Sequence, residues 1–219
     1  MKSLYVLTAL AAFNLMAAQK TTQLKDFKGV TFGSDMKVTL VKSTENKLVT
    51  QGGGDDEDDD EPTIKNEGTM LVLNGDDNNV TLYYKGALES IIVGPDSKLS
   101  SDDEIKAKEF KLIAGEDAVV SLNLNVEKLS TVVSADAVVT LTGKAKDHSA
   151  TLSEDAVFKG TELLTENTSI TLSPDADANI TAKGLVNAFV GEDGSLKIHG
   201  NPKKVTQSKG EDASIVVVN

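Results

Sequence analysis

Ala114-Gly115-Glu116-Asp117-Ala118-Val119-Val120-Ser121-Leu122 is the stretch that decides the fold. Val133-Ser134-Ala135-Asp136-Ala137-Val138-Val139-Thr140-Leu141 repeats it, and shorter echoes stand at residues 152–156, 172–176, 190–194 and 209–213. A small residue, a spacer, an aspartate and usually an alanine recur about every twenty residues. Self-similarity at that period marks a repeat architecture, in which each unit buries its apolar face against the next.

Around each aspartate the residues alternate. Positions +1, +3 and +5 are Ala118, Val120 and Leu122 after Asp117, and Ala137, Val139 and Leu141 after Asp136. They are Ala176, Ala178 and Ile180 after Asp175, and Ala213, Ile215 and Val217 after Asp212. Ser, Thr, Asn, Lys and Asp fill most positions between, so each segment predicts a strand with one wet face. Positions −7, −5 and −3 give a second strand: Phe110, Leu112, Ala114, then Leu129, Thr131, Val133, then His148, Ala150, Leu152. The unit reads as strand, tight corner at the aspartate, strand and a looser return. Turn-forming residues such as Gly143, Gly184 and Gly200-Asn201-Pro202 mark that return.

The frame extends upstream through Asp96, Asp76 and Asp35, with a one-residue shift after Asp76 that predicts a β-bulge, and Asp55 keeps the spacing. The marks Asp35, Asp55, Asp76, Asp96, Asp117, Asp136, Asp155, Asp175, Asp193 and Asp212 are separated by 20, 21, 20, 21, 19, 19, 20, 18 and 19 residues. The expected fold is all-β: a parallel β-helix (β-solenoid) of about ten rungs of roughly 20 residues, right-handed. Inward columns would run Ala118, Ala137, Ala156, Ala176 and Val120, Val139, Phe158, Ala178, Leu196, Ile215. An antiparallel sandwich is the competitor, but it needs no fixed small-x-Asp corner.

These corners resemble a known family. The segment from Phe27 to Leu40, Val80-Thr81-Leu82-Tyr83-Tyr84 before Leu88-Glu89-Ser90-Ile91-Ile92-Val93, and Ile198-His199-Gly200-Asn201-Pro202 look like the putative auto-transporter adhesin, head GIN domain family. The likeness covers about residues 27 to 219. It implies an exported envelope protein of Gram-negative bacteria with parallel β-helical structure and no established catalytic activity. The family's corners are glycine-serine runs; this chain writes Glu-Asp-Ala instead, which makes its surface more anionic.

Composition narrows the partners. The 219 residues carry a formal net charge of −12, which repels nucleic-acid phosphates. Every basic side chain is lysine or histidine, so the bidentate arginine anchor for carboxylate or phosphate is missing. Aromatic residues are only 4%, too few for a broad stacking platform, and no cysteine means no disulfide or thiolate metal site. Residues 1–18, with Lys2, an apolar core over residues 4–16 and Ala17-Ala18, predict a signal peptide. A short mature segment (19–26) and one solenoid domain (27–219) with an acidic loop at 52–62 follow, and no downstream run is long and apolar enough to span a membrane. The expected location is exported: periplasmic, outer-membrane-associated or extracellular.

The functional expectation is a non-enzymatic structural or adhesin-like module whose partner is an envelope protein or a glycan, with no nucleic acid. The chain offers no catalytic, cofactor or metal-binding set by motif. One alternative is cation or glycan binding. Stacked carboxylates repel, so each aspartate either accepts hydrogen bonds from turn N–H groups or shares a cation such as Ca²⁺. The acidic run of residues 55–61 reads as a solvated loop. The other alternative is a polysaccharide-acting enzyme, for which Asp177, Asn179, Lys159 and Lys197 could share an outward face. His148 falls at an inward position beside Phe110 and Leu129, His199 points outward, and Tyr83 and Tyr84 take opposite faces. Gln207 and Lys209 at inward positions predict that residues 204–218 cap the rod.

Overall fold

The structure is a computed structural model and describes residues 19–51 and 62–218. The expected signal segment, the mark at Asp55 and all of the acidic loop but Pro62 lie outside the described residues. Within them, seventeen strands form one hydrogen-bonded sheet. The N-terminal part holds β1 (Gln19–Gln23), β2 (Gly29–Phe32), β3 (Lys37–Lys42), β4 (Lys47–Gln51), β5 (Thr63–Glu67), β6 (Met70–Asn74), β7 (Asn79–Tyr84) and β8 (Ser90–Val93). Four long strands follow: β9 (Lys98–Ala114), β10 (Val119–Val133), β11 (Val138–Leu152) and β12 (Val157–Leu172). The last part is β13 (Asp177–Ala182), β14 (Leu185–Val190), β15 (Ser195–His199), β16 (Lys204–Lys209) and β17 (Ser214–Val217).

From β8 onward the strands pair in parallel, each with the equivalent segment one repeat away. This is the β-solenoid that the alternation predicts. Val120, Val139, Phe158, Ala178, Leu196 and Ile215 occupy one ladder position, as expected. Phe110, Leu129, His148, Thr168 and Val186 share another. Neighbouring rungs are about 4.8 Å apart, so each inward residue packs on its counterparts above and below. Each fully buried aliphatic contributes roughly 1.5–3 kcal/mol, and the core runs unbroken from Phe27 to Ala213.

The corner has a backbone reason. Asp35, Asp77, Asp96, Asp117, Asp136, Asp155, Asp175, Asp193 and Asp212 all lie at φ between 51° and 57°, the left-handed region. Aspartate tolerates that conformation better than most residues with a Cβ. The corner is a β-turn: Ala118 N–H donates to the Gly115 carbonyl (3.2 Å), and Ala137 N–H to that of Ser134 (3.3 Å). Corners also bond to one another, Asp117 N–H to Ala135 O (3.2 Å) and Asp96 N–H to Glu116 O (3.0 Å). Successive turns lie so close that a Cβ on Gly115 would stand 2.8 Å from the Gly94 carbonyl carbon, which explains the small residue there. The Asx hydrogen bonds expected of these carboxylates are not what builds the turn; backbone φ and main-chain bonds build it.

Three expectations need correction. The expected ten rungs become about seven helical turns of about 19 residues, and the first part of the chain does not climb in order. β2 lies between β6 and β8, and β3 between β7 and β9. The rung of β6–β7 therefore stacks outside that of β2–β3, although it follows it in sequence. The predicted bulge after Asp76 is instead a longer corner. The left-handed residue is Asp77, Phe32 pairs with Leu73 and Lys37 with Asn79, so this corner holds one extra residue and Val80, Leu82 and Tyr84 stay in phase. Finally, the return is strand rather than loop in the middle rungs. β10 runs unbroken through Asn125-Val126-Glu127, with Leu124 and Val126 buried against Ile105 and Ala107 on one side and Gly143 and Ala145 on the other. Length variation is taken up before it, where pairing skips between Thr140 and Gly143 and between Gly160 and Leu164.

The two ends are closed differently. At the first, antiparallel β5 pairs with β6, and antiparallel β4 pairs with β7 and carries β1. Buried Asn46 ties this cap down, its amide donating to Lys25 O and Asp26 Oδ1 and its oxygen accepting from Lys85 N–H. At the other end β16 and β17 are the last rung, with Gln207 over Ala188 and Lys209 over Val190. Lys209 Nζ donates to Ala213 O at 2.7 Å. A polar rung over an apolar column is the cap expected of residues 204–218.

Candidate functional site

Two long edges of the rod carry recurring polar residues. The first is the aspartate corner, with Glu116, Glu154, Glu192 and Glu211 beside it. Its carboxylates are exposed, and at Asp35 slight desolvation, then Asp96, Asp77 and Asp76, hold the carboxyl above its ordinary range. Among the described residues no group of three or more acidic or histidine side chains is placed to hold a metal ion.

The second edge lies where the return meets the incoming strand. Alternation breaks there once per rung, leaving two polar residues side by side: Lys108-Glu109, Glu127-Lys128, Lys146-Asp147 and Glu166-Asn167. Their side chains pair along the rod. Lys128 Nζ lies 2.8 Å from Glu109 Oε1, Asn167 Nδ2 donates to Asp147 Oδ1 at 2.8 Å, and Asn167 Oδ1 accepts from Leu185 N–H at 3.1 Å. Beside this ladder runs a groove of about 990 Å³, which passes from Glu89 across the rungs of Phe110, Leu129, His148 and Thr168 to Asn187. Its wall on the incoming strands is uncharged over the middle rungs, with Ser130, Ser149 and Ser169 in direct register.

The chemistry of this groove favours contact over proton transfer. The Lys128 hydrogen bond and charge lower the Glu109 carboxyl, and Glu109 in turn raises the Lys128 ammonium. Both groups thus stay ionised near neutrality, away from the intermediate pKa that general acid–base work uses. His148 lies at the groove's edge with its ring turned inward. Its Nε2 is 3.1 Å from the buried Thr131 Oγ1, its ring centroid is 5.4 Å from that of Phe158, and its Nδ1 is buried with no partner. Burial lowers the imidazole to about 4, so it is neutral at physiological pH.

The residues weighed for an enzyme do share a face. Asn179 is in register with Lys159 and Lys197, and Asp177 lies two residues along the same strand. They line neither groove, and all stand on the outward face of their strands. His199 is on the outward side as expected; Tyr84 is buried and Tyr83 partly exposed. The second edge was missed in the sequence because its broken alternation reads as a loose return. The paired polar residues nine and eight positions before Asp117, Asp136, Asp155 and Asp175 are the signal that finds it.

The chain belongs to the putative auto-transporter adhesin, head GIN domain family, whose pattern it matches over residues 26–202. No curated protein matches it in sequence. Its fold is that of a putative adhesin from Bacteroides fragilis NCTC 9343, at 17% identity and a TM-score of 0.82, covering 92% of this chain and 96% of that one. A putative adhesin from Parabacteroides distasonis ATCC 8503 superposes with a TM-score of 0.70 at 13% identity, over 92% of this chain and 96% of that one. A putative lipid binding protein from the same organism gives 0.67 at 13%, over 94% and 98%. At such identities the likeness is one of fold alone. No helix among the described residues is long and apolar enough to cross a membrane.

Proposed function

We propose that this family member is an exported, non-catalytic β-solenoid that presents its side to an extended partner in the cell envelope, an adhesin-like or structural role. The observation that carries the reading is the groove along the second edge. It crosses six rungs lengthwise instead of sinking into the rod, the geometry by which solenoids engage long partners. The partner is an envelope glycan or protein, met by the uncharged serine wall and the ion-paired ladder. Export rests on the N-terminal segment of residues 1–18, and cleavage after Ala18 leaves Gln19 as the first residue.

Two measurements test this. Expressed in a Gram-negative host, the chain should appear outside the cytoplasm with Gln19 at its N-terminus; full-length protein retained in the cytoplasm would refute export. Purified protein passed over isolated envelope fractions should be retained, and Asn167→Ala with Asp147→Ala should release it. Retention untouched by those changes would remove the groove from the reading.

A further inference from the structure

We infer that a second, smaller groove on the return face is a binding site for a segment of acidic glycan, one bearing carboxylate or sulfate groups. It shares no lining residue with the large groove, which it adjoins across the second edge, and does not depend on it. The site has a structural cause. β12 carries three residues, 161–163, that have no partner on β13, because pairing jumps from Gly160–Ile180 to Leu164–Thr181. The interval from Asp155 to Asp175 is 20 residues and from Asp175 to Asp193 only 18, so the rung tightens here. The resulting step leaves Leu164 37% exposed beside a groove of about 540 Å³.

Four lysines line that groove, Lys144, Lys146, Lys183 and Lys203, against a single acid, Glu166. In a chain of net charge −12 the four lysines still exceed Glu166 together with Glu104, whose charge acts on Lys144. The neighbouring rungs neutralise their lysines, Lys106 with Glu104 at 2.9 Å and Lys128 with Glu109 at 2.8 Å. None of the four groove lysines has an ion-pair partner within 4.0 Å among the described residues. Lys203 N–H bonds to Lys183 O, which sets these two lysines on adjacent rungs of the same face. Lysines act as point charges rather than bidentate forks, so they suit anionic groups of variable orientation. Leu164 offers an apolar contact, and Asn125, whose amide also bonds Glu104 one rung away, keeps further hydrogen-bonding capacity for a sugar hydroxyl. No aromatic side chain lines the groove, so nucleic-acid bases would have nothing to stack on.

The test is binding of the purified full chain to four probes: a polyuronate oligomer, dextran sulfate, neutral dextran and a single-stranded DNA oligonucleotide. The polyuronate or the dextran sulfate should bind, neutral dextran should not, and affinity should fall roughly tenfold between about 50 and 200 mM salt for two to three ionic contacts. Lys183→Gln with Lys203→Gln should weaken binding by a similar factor. Lys37→Gln with Lys98→Gln removes the same charge from another pair of lysines in register and should leave binding unchanged. Glu166→Gln should tighten binding two- to threefold or so, a gain that unfolding cannot produce. The inference is overturned by an absence of binding to both polyanions at low salt, by equal losses in the two lysine pairs, by no gain in Glu166→Gln, or by tighter binding of the oligonucleotide than of either glycan.

Discussion

The two polar edges of the rod repeat with the same period yet obey opposite rules. At the first, nine aspartates hold the same backbone conformation and are exposed to water. At the second, no one residue type holds the position in every rung, but the side chains pair along the rod through Glu109–Lys128 and Asp147–Asn167. An aspartate column set by φ stacks like charges along the rod; at Asp35 desolvation, and then Asp96, Asp77 and Asp76, raise the carboxyl. A ladder selected for side-chain contact varies its residues to keep the pairing. A repeated residue therefore marks geometry here, and a varied but compensated set marks a surface.

Acid should separate the edges most strongly. Behind the second edge His148 titrates near 4 when folded and near 6.5 when unfolded, so its contribution is complete above pH 6.5. As pH falls through 6.5 toward 4 the unfolded chain takes up the proton first, and about 3 kcal/mol of stability is lost. At the first edge the sign reverses: the raised Asp35 carboxyl takes up its proton more readily in the folded state, so acidification relieves it. Urea melts of the wild type and of His148→Leu from pH 7 to pH 4 check this. The variant continues the Phe110–Leu129 column and should lose most of the slope.

Substitution at the first edge should follow backbone rather than charge. Asp136→Val places a β-branched residue at φ 56° and should cost about 2 kcal/mol in a urea melt. Asp136→Asn keeps the tolerance and should stay within about 0.5 kcal/mol. If Asn cost as much as Val, the carboxylate rather than its φ would be what the corner needs. At the second edge the opposite holds. Asn167→Ala removes the partner of both Asp147 and the Leu185 N–H and should cost about 1–2 kcal/mol, whereas Asn167→Asp should cost a comparable amount because it faces Asp147. The smallest effect expected is that of calcium. If the first edge is structural only, millimolar calcium should move the melting temperature by less than about 1 °C. A rise of several degrees, abolished by Asp136→Asn, would restore a cation to the corner column.

Much of this was legible because a strand's period is two and a solenoid's rungs are copies. Val120 and Val139 could be placed in one column from their distance to the nearest aspartate, and the same count put His148 inward beside Leu129. The corner's place was legible too, but its cause was not: an aspartate in sequence does not say whether its carboxyl or its φ is used. The extra residue before Asp77 looked like a bulge because a one-residue insertion shifts the alternation wherever it falls. The groove beside Glu109, Lys128, Asp147 and Asn167 escaped notice because two adjacent polar residues, taken one rung at a time, are indistinguishable from a loop.

The sequence by itself determined the repeat, the faces of its strands and the position of every described corner but Asp77, since these depend only on local alternation and on residues that tolerate positive φ. The tertiary structure alone decided the order of the rungs, with β2 and β3 threaded between later strands. It also decided which polar residues meet across rungs and where a tightened turn opens a lysine-lined step. Those are contacts between residues about 20 to 60 positions apart. Their pairing is set by stacking and chain reversal, which no local pattern encodes.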